Sequence, residues 1–172
     1  MISTIAALLL SASSAAAVAV PDPGLPQLFV AACLDGNAAI SADEAHKIPF
    51  DALPAELRAR LDKPLSATAW QLQPQERAYL YVLEYLPGTS HDTKVCGLAS
   101  DQMLLSSAVS AVDERITGAS GFESAIGTQW LMPKAGYAVT AAKVDAFTVL
   151  QINWLSDSRR AALSKQVRQV SP

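Results

Sequence analysis

The chain has 172 residues, 51% of them apolar and 17% charged, and its 13 basic and 16 acidic side chains leave a net charge of −3. That apolar share excludes an intrinsically disordered chain, and the mild acidity offers no overall electrostatic basis for holding nucleic acid or anionic lipid. The length suits one domain with a core of its own.

Residues 1–20 carry no charged side chain, and the first lysine or arginine is Lys47. Residues 5–10 are an apolar run, residues 11–20 are nearly all small, and Pro21-Asp22-Pro23-Gly24 breaks the pattern. This reads as a secretory signal peptide whose only positive charge is the terminal amine. Ala15-Ala16-Ala17 and Ala17-Val18-Ala19 are both small-x-small cleavage sites. Cutting after Ala19 takes 19 residues from 172 and leaves 153, so residues 20–172 are read as a single periplasmic or secreted domain. A retained anchor fits less well, because a span needs roughly 20 predominantly apolar residues. Ser3, Thr4, Ser11, Ser13, Ser14 and the alanines dilute this one, and no later segment is long and apolar enough. Val30-Ala31-Ala32-Cys33 has the pattern of a lipoprotein lipobox, but Pro21, Pro23 and Pro26 interrupt the apolar region that should lead into it.

Leu25, Leu28, Phe29, Ala32 and Cys33 form one helical stripe, with Gly36 placed to end it. Ser41-Ala42-Asp43-Glu44 is a capping-box pattern that would open a short helical turn. Residues 53–61 read as a helix, with Pro54 in its first turn, Leu53, Leu57 and Leu61 in line, and Glu56 four before Arg60. Strands are expected at 67–73, 78–86 and 93–98, separated by Pro74-Gln75-Glu76-Arg77 and Pro87-Gly88-Thr89-Ser90. Ser100 would cap the next helix, which carries Met103, Leu105, Ala108, Val109, Val112 and Ile116 on its inner face. Residues 117–121 break it. Three more strands follow at 124–132, 137–144 and 147–154, with turns at Pro133-Lys134-Ala135-Gly136 and at 144–146. Ser156 caps a last helix with Leu163, Val167 and Val170 inward and Arg159, Arg160, Lys165 and Arg168 outward.

The order α-βββ-α-βββ-α with tight turns predicts an α+β domain, a single antiparallel sheet of about six strands with helices packed on one face. The two halves have a similar order, which allows a pseudo-duplicated arrangement.

Cys33 and Cys96 are the only cysteines. In an oxidising compartment the pair points to a disulfide, and a bridge across 63 residues is worth about 4 kcal/mol in the chain-entropy picture. A reactive thiol, or a bridge that opens as a redox switch, is the functional counterpart. No Cys-x-x-Cys is present and no histidine lies beside either cysteine.

No catalytic constellation stands out. Ser124 lies in Gly121-Phe122-Glu123-Ser124-Ala125-Ile126-Gly127, where the first glycine is one place too far for a nucleophile elbow. His46 and His91 sit in polar contexts without a partner at metal spacing. Gly118-Ala119-Ser120-Gly121 follows a helix instead of leading a strand into one, so it lacks the context of a phosphate loop. No metal site or cofactor is expected. Glu84, between Leu83 and Tyr85 in the most apolar strand, either marks its solvent side or is a partly buried carboxyl. Tyr79, Tyr81 and Tyr85 share one face of that strand, either as a stacking platform or as packing under a helix. Glu84, His91, Tyr79, Tyr81 and Tyr85 are therefore the candidates for a functional surface.

Residues 28–34 and Val95-Cys96-Gly97-Leu98, with Trp70 between them, resemble the layout of small uncharacterised exported two-cysteine proteins of proteobacteria. There a helix with one cysteine precedes a sheet with the other. The resemblance implies a periplasmic setting and carries no catalytic residue. The expectation is a non-enzymatic binding or envelope-associated domain, whose partner is an envelope protein or a small ligand. An envelope hydrolase drawing on Glu84, His91 or Ser124 is the alternative.

Overall fold

The structure is a computed structural model that describes residues 24–36, 45–72, 77–88, 92–117, 119 and 121–170, with side chains in the last helix as far as 164. The expected signal peptide, the capping box at 41–44, His91 and the glycine connector at 118–120 lie wholly or mainly outside the described residues.

The elements in chain order are α1 (Gly24–Phe29, running on as a π-helical turn Val30–Leu34), β1 (Ala45–Ile48), a 3₁₀ turn (Phe50–Ala52) and α2 (Ala55–Arg58). Then come β2 (Ser66–Leu72), β3 (Ala78–Glu84), β4 (Asp92–Ser100) and α3 (Leu105–Arg115). The chain continues with β5 (Phe122–Ser124), β6 (Gly127–Met132), β7 (Tyr137–Val144), β8 (Phe147–Leu155) and α4 (Asp157–Val170). All the strands join one antiparallel sheet in the order β1-β2-β3-β4-β8-β7-β6-β5. It is two four-stranded meanders, each followed by a helix, meeting at β4 and β8.

The α+β class and the single antiparallel sheet are as expected, but the strands number eight, not six. One extra strand is β1, whose four residues are too few to show a period. It exists because β2 presents an edge to pair with, Lys47 opposite Trp70. His46 is consequently a strand residue and not a loop one. The other is β5, which lies just ahead of the predicted strand 124–132, shares only Ser124 with it and pairs with β6 as a hairpin around Ala125 and Ile126. Gly127 supplies the turn's positive φ of 122°, and a Cβ there would lie 2.3 Å from the Ala141 carbonyl oxygen.

The helices do not share one face. Side chains alternate along a strand, so Leu80, Cys96, Leu98, Leu150 and Ile152 point one way, with Trp130 and Val139 beside them. They pack against Leu25, Phe29 and Cys33 of the first helical segment and Ala108 and Val112 of α3. Trp130 is fully buried there and its indole N–H donates to Asp113 of α3 at 2.8 Å. The Cys33–Cys96 disulfide joins the π-helical turn to β4 across a Cα separation of 5.6 Å. On the opposite face Leu53 packs with Tyr81, Leu83, Tyr85 and Val95, and Leu57 with Ala99, Phe147 and Val149. Of the expected helix 53–61 only the single α-turn Ala55–Arg58 forms, with the 3₁₀ turn Phe50–Ala52 ahead of it. Nucleating helix is costly for so short a segment, and it is held by two leucines set into the sheet.

Ser100 does not cap α3. It is buried at the end of β4, its Oγ accepts the Gln102 N–H at 3.1 Å, and the helix starts five residues later. Ser156 does cap α4, accepting the Arg159 N–H at 3.4 Å.

Candidate functional site

The segment from 50 to 58 covers the second face over β3, β4 and the start of β8, and no other segment among the described residues covers that face over β6, β7 and the middle of β8. The floor there is Gln129 and Leu131 of β6, Ala138, Thr140 and Ala142 of β7, and Val149, Gln151 and Asn153 of β8. It forms the base of an open groove of about 750 Å³. Phe122 and Ile126 of the β5–β6 hairpin make one wall, Arg60 stands on the β4 side, and Arg159 and Leu163 of α4 close one end.

A row of register partners crosses this face. Gln129 lies opposite Thr140, Thr140 opposite Gln151, Gln151 opposite Gly97, and Gly97 opposite Tyr81. Gly97 is what lets the row connect. A Cβ at that position would fall 2.3 to 2.6 Å from the Tyr81 ring atoms, so the ring lies over bare backbone and its hydroxyl reaches β8. The Tyr81 hydroxyl donates to Gln151 Oε1 at 2.9 Å, and Gln151 Nε2 donates to Asn153 Oδ1 at 2.9 Å. Asn153 Nδ2 donates to Asp92 Oδ2 at 2.6 Å, and the Arg159 guanidinium donates to Asp92 Oδ1 at 3.2 Å. Every donor points the same way along the chain from Tyr81 to Asp92, and the carboxylate is where it ends, clamped by Arg159.

Burial, followed by the nearby Tyr85, raises the Tyr81 hydroxyl above the ordinary tyrosine range, so it stays a donor. Burial, then Asp62 and Asp92, push Tyr85 up to about 12. Gln151 and Asn153 each donate one side-chain hydrogen bond among the described residues and have a second amide N–H uncommitted. Among the described residues, the side chains of Gln129 and Thr140 make no hydrogen bond at all. These are strong polar groups free to meet a ligand.

Arg60, Lys143 and Arg159 are the charged residues among those lining the groove, but Lys143 lies in register with Thr148, whose buried side chain bonds the Met103 carbonyl on the opposite face. Arg159 is paired with Asp92, but Arg60 and Lys143 form no ion pair among the described residues. Arg159 was expected to face outward; the carboxylate at the start of β4 draws it in.

Of the candidates read from the sequence, Tyr79, Tyr81 and Tyr85 do share a face with Leu83, under the segment from 48 to 61. Tyr79 is half-buried with its ring edge toward Phe147, centroids 6.1 Å apart. Only Tyr81 connects to the groove. Glu84 is exposed at the end of β3, accepts a hydrogen bond from Ser66 Oγ at 3.0 Å and lies opposite Lys94. Ser124 Oγ donates to the Gly127 carbonyl at 2.8 Å inside its own turn. Five strand spacings, about 24 Å, separate β3 from β5, so Glu84 and Ser124 do not converge. His91 lies outside the described residues. Gln129, Thr140, Gln151, Asn153, Asp92 and Gly97 were missed in the sequence. The available signal was Gln151-Ile152-Asn153, two amides at period two inside an apolar strand.

No group of three histidine, cysteine, aspartate or glutamate side chains able to hold a metal occurs among the described residues, and no helix among them is long and apolar enough to cross a membrane. No protein-family model, curated protein or solved structure matches the chain.

Proposed function

We propose that the chain is an exported periplasmic or secreted domain that binds a ligand without transforming it, and that the groove over β6–β8 is its binding surface. The observation that carries this is the row Gln129–Thr140–Gln151 along the groove floor, in which the side chains of Gln129 and Thr140 make no hydrogen bond among the described residues. Binding sites are concave, largely preformed and supplied with a few convergent polar groups, and this groove combines small apolar floor residues with such a row. The disulfide agrees with an oxidising compartment, as does the resemblance to exported two-cysteine proteins. A Cys33 thiol joined to Cys96 is also not available for acylation.

The test is a fragment screen followed by amide chemical shifts on the oxidised domain, residues 20–172. Hits are expected to perturb Gln129, Thr140 and Gln151 together. Hits that cluster elsewhere, or a screen in which these residues never move, would overturn the assignment. Intact mass of protein recovered from the periplasm tests export: residues 20–172 less two hydrogens is expected, and an intact N-terminus would refute it.

A further inference from the structure

We infer that the groove seats a short apolar turn of a partner protein, anchored by one aromatic side chain; this rests on the groove being the binding surface. The inference follows from a symmetry of the sheet. Gly97 and Gln151 lie opposite one another where the two meanders meet. A half-turn about the axis through that pair, perpendicular to the sheet, exchanges the meanders and keeps each face on its own side. It carries β3 onto β7 and β2 onto β6 to within one residue at either end.

On the first meander, Leu53 packs with Ala69 of β2, Tyr81 and Leu83 of β3, Tyr85 just beyond it, and Val95 of β4. The half-turn takes these five, in order, to Gln129, Thr140, Ala142, Val144 and Val149. All five line the groove. Ile48 of β1, packed beside Leu53, goes to Phe122, which walls the groove. The groove is therefore the counterpart of the Leu53 seat. The connection from β1 to β2 is long enough to fold back over its own seat. The connection from β5 to β6 is only Ala125 and Ile126, too short to do the same.

The covered seat also shows what kind of occupant suits. It holds a 3₁₀ turn and a single α-turn, fixed by Leu53 and Leu57. The groove is continuous with that interface: Val149 packs with Leu57 and also lines the groove, and Arg60, which follows α2, lines it too. A partner segment in the groove would lie beside the chain's own. The two seats differ in depth. Thr140, Ala142 and Val144 stand where the first seat has Tyr81, Leu83 and Tyr85, and each is the smaller residue. Close packing then calls for an anchor bulkier than leucine, and an aromatic ring supplies it. Gln129 and Thr140 both donate and accept, as the unpaired N–H and C=O groups of a single helical turn require.

Three synthetic peptides test this on the oxidised domain: residues 49–61 of this chain, and the same peptide with Leu53→Trp or Leu53→Ala. Amide shifts locate the binding and their titration gives the affinity. The tryptophan peptide is expected to shift Gln129, Thr140 and Ala142 together. It should bind about tenfold tighter than the leucine peptide, and the alanine peptide at least about tenfold more weakly than leucine. Ala142→Leu in the protein gives the groove the residue that the covered seat has at Leu83, and should weaken the tryptophan peptide at least about tenfold. An unchanged urea midpoint certifies that variant's fold, and the peptide series stands without it. Equal binding by the tryptophan and alanine peptides overturns the anchor and the inference with it. Shifts at Leu83 and Tyr85 in place of the groove would mean that the peptide displaces the chain's own segment, which also overturns it. No binding by any of the three overturns the partner class alone, since the fragment screen judges the groove separately.

Discussion

At the scale of single residues, the arrangement turns on Gly97 and Tyr81. The glycine is in ordinary extended backbone, and what it contributes is space: its missing Cβ is where the Tyr81 ring lies. Gly97→Ala should therefore displace the ring and break its bond to Gln151. Overpacking of this kind costs about 1–3 kcal/mol, which a urea titration would read, with shifts at Gln151 in the amide spectrum. Tyr81→Phe keeps the ring and removes only the donor. It should cost about 1 kcal/mol, the value of one hydrogen bond plus a carbonyl left half-satisfied. The same tyrosines give a pH signature. Tyr81 and Tyr85 both hold their protons more tightly in the fold than the ordinary tyrosine value of about 10. Their contribution is complete below that pH and is lost as pH rises through the folded values, about 12 for Tyr85. The urea midpoint should fall steeply above about pH 10, and Tyr85→Phe should make that fall shallower. A midpoint indifferent to pH there would contradict the burial of both hydroxyls.

At the scale of elements, two attachments matter. The first helical segment contributes Leu25, Phe29 and Cys33 to the core, and the disulfide secures it to the middle of the sheet. Arg115 adds an exposed ion pair with Asp35, of the kind that contributes little by itself. Closing a loop of 63 residues limits the unfolded chain, so reduction, or Cys33→Ser with Cys96→Ser, should lower stability by about 4 kcal/mol. Denaturation with and without reductant measures it. The last helix is held differently, by its Ser156 cap, by Leu163 at the groove and by the clamp of Arg159 on Asp92. Arg159→Ala should speed amide exchange through residues 157–164 severalfold while moving the global midpoint by no more than about 1 kcal/mol. A midpoint drop as large as that of the disulfide would mean that α4 is part of the cooperative core.

At the scale of the whole molecule, the sheet has a closed face and a divided one. One face is filled by α1, α3 and the disulfide; the other is closed over β3 and β4 by the chain from 48 to 61 and, among the described residues, open over β6–β8. The two meanders repeat the order of four strands and a helix, yet α3 goes to the closed face and α4 to the divided one, and this asymmetry leaves the groove. The α+β class, the hairpins from β6 to β8, the α3 stripe and the Ser156 cap were legible from the sequence. Each rests on neighbours a few residues apart, where period, turn residues and caps act. The pairing of Cys33 with Cys96 was legible by count, since two cysteines allow one bridge. The tyrosine face was legible as well, because alternation along one strand needs no partner. Only the tertiary structure decided that residues 45–48 become an edge strand, that the short helical segment crosses to the second face, and that Gly97, Gln151, Thr140 and Gln129 fall in one row. Those outcomes depend on which strand lies beside which, and register between segments as much as 70 residues apart leaves no local mark on either.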